Sequence, residues 1–424
     1  MGILTELLQD VALPKMVKVR QHFTVNELQD AAGALRKGIY EAGVTGRIKP
    51  GMRVAVAVGS RGMAELPLLV KVVVEELRSC GAEPFVVPAM GSHGGATAGG
   101  QTEMLASLGV TESSVGCPIV SSMDVVEIGV LDNGLAVLLD KNAFDADGIV
   151  LINRIKPHTA FVGTYESGLV KMMAIGLGKH QGAASCHALG FKHMAENIFQ
   201  MARVHLKKAN YLFGIATVEN AYDRLDRIAV VPAADILAVE PGLLAEAKKN
   251  MPRILLQPID VLIVDQLGKE FSGGGMDPNV TGGGPLPSQH RPARLVALDL
   301  TERSHGNAIG VGNAHFTTRR LFEKVDLAAT YANCITATIV ESGRIPLIMD
   351  SDSLAIKGAV KTCKVAALEK VRIVRVSNTL HLSEIYVSEN MTAEAEQHPD
   401  VTVAGQPAEW LFDADGNLPD IGSW

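Results

Sequence analysis

Between residues 53 and 90 two short apolar runs, VAVAVGS and PFVVPAM, flank the stretch AELPLLVKVVVEELRSCGA, whose apolar positions recur at helical spacing. Strand, amphipathic helix and strand in that order predict a βαβ unit, and with it a parallel sheet. Further strands are predicted over 125–129 and 136–139, joined by a tight turn at Asn133-Gly134, and over 148–153. Past Ser167 the period lengthens to that of a helix, breaks at the glycines of GLGKHQG and resumes over 183–207.

From Ile259 a fresh apolar strand, DVLIVDQLG, runs into KEFSGGGMDPNVTGGGPLPSQHRP. That stretch is too rich in glycine and proline for regular structure and reads as a functional loop. The runs RLVALDL, IPLIM and KVRIVRVSN, with helices over 318–333 and 352–362, complete a second α/β set. The expected fold is therefore α/β in two domains, each a mostly parallel sheet flanked by helices. Residues 1–255 form the first, 256–389 a smaller second, and 390–424 pack back on the first. The active site is expected in the cleft between the two domains. A chain of 424 residues that is 47% hydrophobic has ample core for both.

Composition narrows the function. Thirty-nine basic against 46 acidic residues leave a net charge of -7, which excludes a general electrostatic grip on nucleic acid or on an anionic membrane. Aromatic residues make up 4% of the chain, too few for base-stacking platforms. The apolar runs stay far below the roughly 20 residues that a membrane-spanning helix needs. Five cysteines without CxxC spacing suggest neither a disulfide framework nor a zinc ribbon, and with no secretory signal they fit a cytoplasmic protein.

The candidate chemistry clusters after the strands. Ser60-Arg61-Gly62 follows the first core strand, where open α/β sheets bind ligands, and the Arg61 guanidinium suits a carboxylate or phosphate through paired hydrogen bonds. Next, Gly91-Ser92-His93-Gly94-Gly95 precedes a helix that Thr97 is expected to cap, so small residues and helix-start amides there suit an anion. His93, set among glycines, suits a reachable acid or base. A third segment holds Lys156-Pro157-His158, then Ser167-Gly168-Leu169-Val170-Lys171, then His180 and His187. Lys171 stands in the apolar run GLVKMMAIGLG, where a desolvated amine becomes a nucleophile or an attachment point. Lys156 and Lys179 read as solvated, His193 and His205 as helix-surface residues, and Cys186 as packing. No GxGxxG turn is present, which weakens a nicotinamide-dependent 2-hydroxy acid dehydrogenase as an alternative. A non-enzymatic binding protein for an anionic nucleotide or sugar acid is the other.

Over roughly residues 50–200 this set resembles the lactate racemase family of nickel-pincer nucleotide enzymes. The resemblance implies that Arg61 binds the substrate carboxylate and that His93 and His158 are the proton-transfer pair. It implies that Lys171 carries the covalently joined cofactor, a pyridinium dithio acid mononucleotide with nickel. His187, sixteen residues beyond Lys171, is implied as the nickel ligand, with His180 as its rival. Ser60, Ser92, Gly94 and Gly95 are expected to line the cofactor, and Lys269 and His305 to contact substrate. The implied activity is racemisation or epimerisation of a small 2-hydroxy acid by reversible hydride transfer, with cofactor-biosynthesis proteins as partners. Val58 and Gly62 replace the acidic residue and proline that lactate racemases carry around the arginine, and the stretch from His158 to Lys171 is longer. A substrate other than lactate is expected.

Overall fold

The computed structural model describes residues 2–60, 62–282 and 291–419. Its strands are, in chain order, β1 (Met16–Gln21), β2 (Arg53–Val58), β3 (Glu83–Pro88), β4 (Val125–Val130), β5 (Ala136–Asp140), β6 (Gly148–Arg154), β7 (Tyr211–Glu219), β8 (Leu225–Pro232), β9 (Val261–Leu267), β10 (Arg294–Leu300), β11 (Phe316–Thr318), β12 (Leu347–Met349), β13 (Ile373–Val376), β14 (Glu384–Ser388) and β15 (Val401–Val403). The chain divides into two compact units, Val25–Met251 and a second made of Met1–Thr24 with Pro252–Trp424. Among the described residues no helix is long and apolar enough to cross a membrane.

In the unit Val25–Met251 the sheet runs β3-β2-β6-β7-β8, parallel except for the antiparallel edge strand β8. Both faces are covered, which is why the central strands read as unbroken apolar runs rather than alternations. Along β2, Val54, Val56 and Val58 enter one core with the helix Leu66–Ser79, while Ala55 and Ala57 enter the other with the helical segment from Leu169 onward. The alanines leave room for that segment to approach the sheet closely. The hairpin of β4 and β5 forms as expected, with Gly134 at φ +82 closing its turn.

The second unit holds one sheet of order β12-β11-β10-β9-β13-β14-β1-β15. Strands β12 to β13 are parallel, and β14, β1 and β15 add antiparallel. The fold class is thus α/β throughout. The expected domain assignment is corrected at both ends of the chain. Residues 1–24 and 390–419 belong with the C-terminal unit, because β1 pairs between β14 and β15. Gln21, fully buried, anchors that arrangement: its amide donates to Leu382 O at 2.6 Å and Arg253 O at 3.2 Å, and accepts from Leu255 N–H at 2.7 Å.

The helical region also differs in detail from the periodicity. It begins with one α-turn, Leu169–Lys171, passes into a π-turn, Met172–Gly176, and resumes as α-helix over Lys179–His187, then Met194–Lys208. Strands β7 and β8 and the helix Ile236–Asn250 were not anticipated. The expected helix over 318–333 is two, Arg319–Glu323 and Leu327–Thr336.

Candidate functional site

The segments singled out in the N-terminal half all lie in the unit Val25–Met251, at the carboxyl ends of β2, β3 and β6. Arg61 lies outside the described residues. Beside it, the Ser60 hydroxyl is hydrogen-bonded to Nδ1 of His93, so two loops that follow adjacent parallel strands meet through these side chains. His93 is exposed and Ser92 half-buried. Gly94 and Gly95 both have positive φ, +65 and +64, and a Cβ on Gly94 would lie 2.6 Å from the backbone of Gly100. Thr97 caps the following helix as expected, accepting from Gly100 N–H at 3.1 Å.

The π-turn brings the His93 loop against the helical segment. Gly91 N–H donates to Gly176 O at 3.1 Å, and a Cβ on Gly91 would lie 3.3 Å from Ile175 and 3.5 Å from the Cβ of Ala183. The same Ala183 offers its carbonyl to His187, whose Nδ1 lies 2.6 Å away and can only donate to it. The neutral ring then carries its proton on Nδ1 and its lone pair on Nε2. Burial, with a smaller push from the Lys171 ammonium, lowers the His187 pKa and favours that neutral ring. Lys171 itself is half-buried, between buried Val170 and Met172. His180 is exposed, and Lys269 and His305 belong to the other unit. Lys269 bonds within its own surroundings, to Asn333 Oδ1 at 2.7 Å and Gly273 O at 3.2 Å. His305 is exposed in a left-handed turn after β10, φ +47.

His158 closes the cluster on another side. Its ring packs on Phe161 with centroids 4.3 Å apart and on Phe191 at 6.2 Å, and Phe191 in turn meets His187 edge-on at 5.5 Å. The His158 loop is pinned by buried Glu166, which accepts from the N–H of His158 at 2.7 Å and of Gly163 at 3.2 Å and pairs with Lys248 at 2.6 Å. Nδ1 of His158 accepts from Ala160 N–H at 3.0 Å, which leaves the ring proton on Nε2.

Sequence reading missed five members of this neighbourhood. Phe161 and Phe191 separate the histidines, and their role needed the loop's path. Gln101 and Lys179 are both fully buried, although Lys179 reads as solvated. Glu240, on the helix Ile236–Asn250, accepts from Val170 N–H at 3.0 Å and so caps the turn that bears Lys171. His205, read as a helix-surface residue, is also fully buried, with Nδ1 2.9 Å from the Tyr211 hydroxyl. Cys186 is packing as expected: it is buried, 3.5 Å from the Met194 sulfur, and its thiol is pushed up to about 12.

Residues 6–198 match the family model of the lactate racemase N-terminal domain. Over this segment, which spans less than half of the chain, the protein is similar to the lactate racemase family. Among solved structures, the lactate racemase apoprotein from Thermoanaerobacterium thermosaccharolyticum is similar at 13% identity and a TM-score of 0.47, over 96% of this chain and 98% of that one. A structural-genomics protein from Thermotoga maritima is similar at 13% identity and a TM-score of 0.47, over 65% of this chain and 72% of that one. No curated protein matches the chain. Ser60, His93, His158, Lys171 and His187 all fall inside the matched segment.

Proposed function

We propose that this protein is a racemase or epimerase of a small 2-hydroxy acid other than lactate, working with a nickel-pincer nucleotide held by Lys171 and His187. The family match supports an isomerase. The observation that carries the finer reading is the pairing of His187 with Ala183, because a metal-binding imidazole is ordinarily oriented by its other ring N–H donating to a carbonyl. Among the described residues no group of three His, Cys, Asp or Glu side chains is arranged to hold a metal; Lys171 and His187 are the residues that would hold the group, and its organic part would supply the other nickel donors. The Cys186 thiol is buried against the Met194 sulfur at 3.5 Å. Lys171, within electrostatic reach of Cys186 and His187, supplies the amine for covalent attachment.

When bound, a nickel-pincer nucleotide would supply the electrophile for reversible hydride transfer at the substrate α-carbon. The protein's part is proton management and grip. One imidazole takes the hydroxyl proton as the α-carbon becomes planar, and a proton is given back on the opposite side when the 2-keto acid is reduced from its other face. Ser60 orients His93 for this through Nδ1. The Nε2–H of His158 suits a hydrogen bond to the substrate oxygen, and the ring takes a proton at Nε2 only as the tautomer with its hydrogen on Nδ1, which gives up the bond from Ala160 N–H. Arg61 holds the substrate carboxylate. Phe161 and Phe191 keep water from the planar intermediate.

The test is expression with the cofactor-making enzymes, intact-mass measurement, and a screen of 2-hydroxy acids in deuterium oxide. Added mass on Lys171, and isomerised product that keeps the substrate's own α-hydrogen, are expected. An unmodified chain, or deuterium at the α-carbon, overturns the reading.

A further inference from the structure

The helix that bears His187 begins with a lysine that has no exposed surface. Lys179 sits in the left-handed backbone region at φ +55, and its ammonium reaches three separate parts of the fold. It lies 3.0 Å from Asp140 Oδ2 at the end of β5, and donates to Pro88 O at the end of β3 at 2.6 Å. Its third partner, at 3.1 Å, is Oε1 of Gln101 on the helix Ala98–Ser107. An ammonium so buried persists only when its donors are met, and here one carboxylate and two neutral oxygens meet them.

Gln101 is also fully buried, and its other end faces the His93 loop. Its Nε2 donates to Gly91 O at 2.9 Å and to His93 O at 3.3 Å. A carboxamide has two ways round, and only one makes these bonds. Lys179 has three donors and no acceptor, so it turns the amide oxygen toward itself and the NH2 group toward the loop.

We propose that Lys179 is the positioning residue of His93, acting through the orientation of the Gln101 carboxamide and tying the His93 loop to the helix Lys179–His187. The tether explains why a lysine that touches no ligand is buried in this helix, and it fixes the backbone from which the His93 imidazole projects. The inference rests on the reading of His93 as a proton-transfer residue.

Two substitutions separate this role from general support of the fold. Gln101→Glu keeps an oxygen for Lys179 but replaces the NH2 group by a second oxygen facing the loop carbonyls. Lys179→Met removes the group that orients the amide. The full chain, labelled with 13C-histidine and free of cofactor, is compared with both variants by NMR, the His93 signals being assigned by loss in His93→Gln. Displaced His93 ring signals with unmoved His158 signals are expected in Gln101→Glu, and in Lys179→Met as well. In cofactor-loaded Gln101→Glu, kcat is expected to fall about 100-fold with KM little changed, the size of effect that an ångström of misplacement produces. Unmoved His93 signals in Gln101→Glu, equal displacement of His93 and His158, or a loss confined to KM each overturn the proposal. The NMR measurement needs neither cofactor nor substrate, so it decides the tether separately from the 2-hydroxy acid reaction.

Discussion

Nδ1 of His187 lies 2.6 Å from the carbonyl oxygen of Ala183, one helical turn earlier on the same helix. This bond fixes which ring nitrogen is left for a metal, and it distinguishes His187 from the exposed His180 on the same helix. In protein loaded with the nickel cofactor, His187→Ala is expected to lower retained nickel at least ~10-fold. His180→Ala is expected to retain it fully, as metal analysis after gel filtration would report.

Glu240 makes stability depend on pH from beneath Lys171. Its carboxyl is buried and pushed up to about 7, mainly by burial, with the amides of Val170 and Leu169 pulling the other way. A raised folded-state value means that the stabilising proton is held below pH 4.5 and is lost as pH rises through 7. Between pH 4.5 and 8, wild type should therefore lose on the order of 3 kcal/mol relative to Glu240→Gln. Urea unfolding of both proteins at several pH values measures the difference. Parallel profiles would contradict it.

His205 works in the opposite sense. Burial lowers its pKa to about 3, so below 6.5 the unfolded chain takes up a proton that the folded chain refuses. Its contribution is complete above pH 6.5 and drains away as pH falls toward 3. The drop is on the order of 4 kcal/mol, and His205→Gln is expected to flatten the acid limb of the unfolding profile by that amount.

The Lys179 and Asp140 pair is a third measurable element. Removing one charge from a buried pair typically costs about 3–5 kcal/mol because the other is left uncompensated. Lys179→Met should fall in that range in urea unfolding. Adding Asp140→Asn, which keeps an oxygen for the Ala143 amide that Asp140 now caps at 2.9 Å, should recover more than half of the loss. Additive losses would show that the two groups do not interact.

Local pattern carried as far as local physics reaches. The strands β2 and β3 and the helix between them were legible because each buries an apolar face that its own residues spell out. Strand β1 was not, because its partners lie more than 360 positions away: Met16 pairs with Ser388. Within the site, His93 and His158 stood out because glycine and proline flank them, and the Cys186 side chain packs as its setting suggested. Lys179 was misread for the same reason as β1. It reads as solvated in GLGKHQG, whereas the oxygens that hold it come from Asp140, Pro88 and Gln101, the last 78 positions upstream. Lys171 is the converse: its apolar flanks Val170 and Met172 are buried while Lys171 itself is half-buried.

Gln21 binds the backbone of both Arg253 and Leu255, so the chain leaves the C-terminal unit and returns to it at neighbouring points. The 25–251 unit is thus an insert whose two ends are stapled side by side in its host. During synthesis the insert can finish folding while β1 waits, and a finished body shortens the floppy span that must close before β14 arrives to pair with β1. The same stapling makes the host separable at the gene level: a few glycines and serines in place of the insert would leave the eight-stranded sheet with its full set of neighbours.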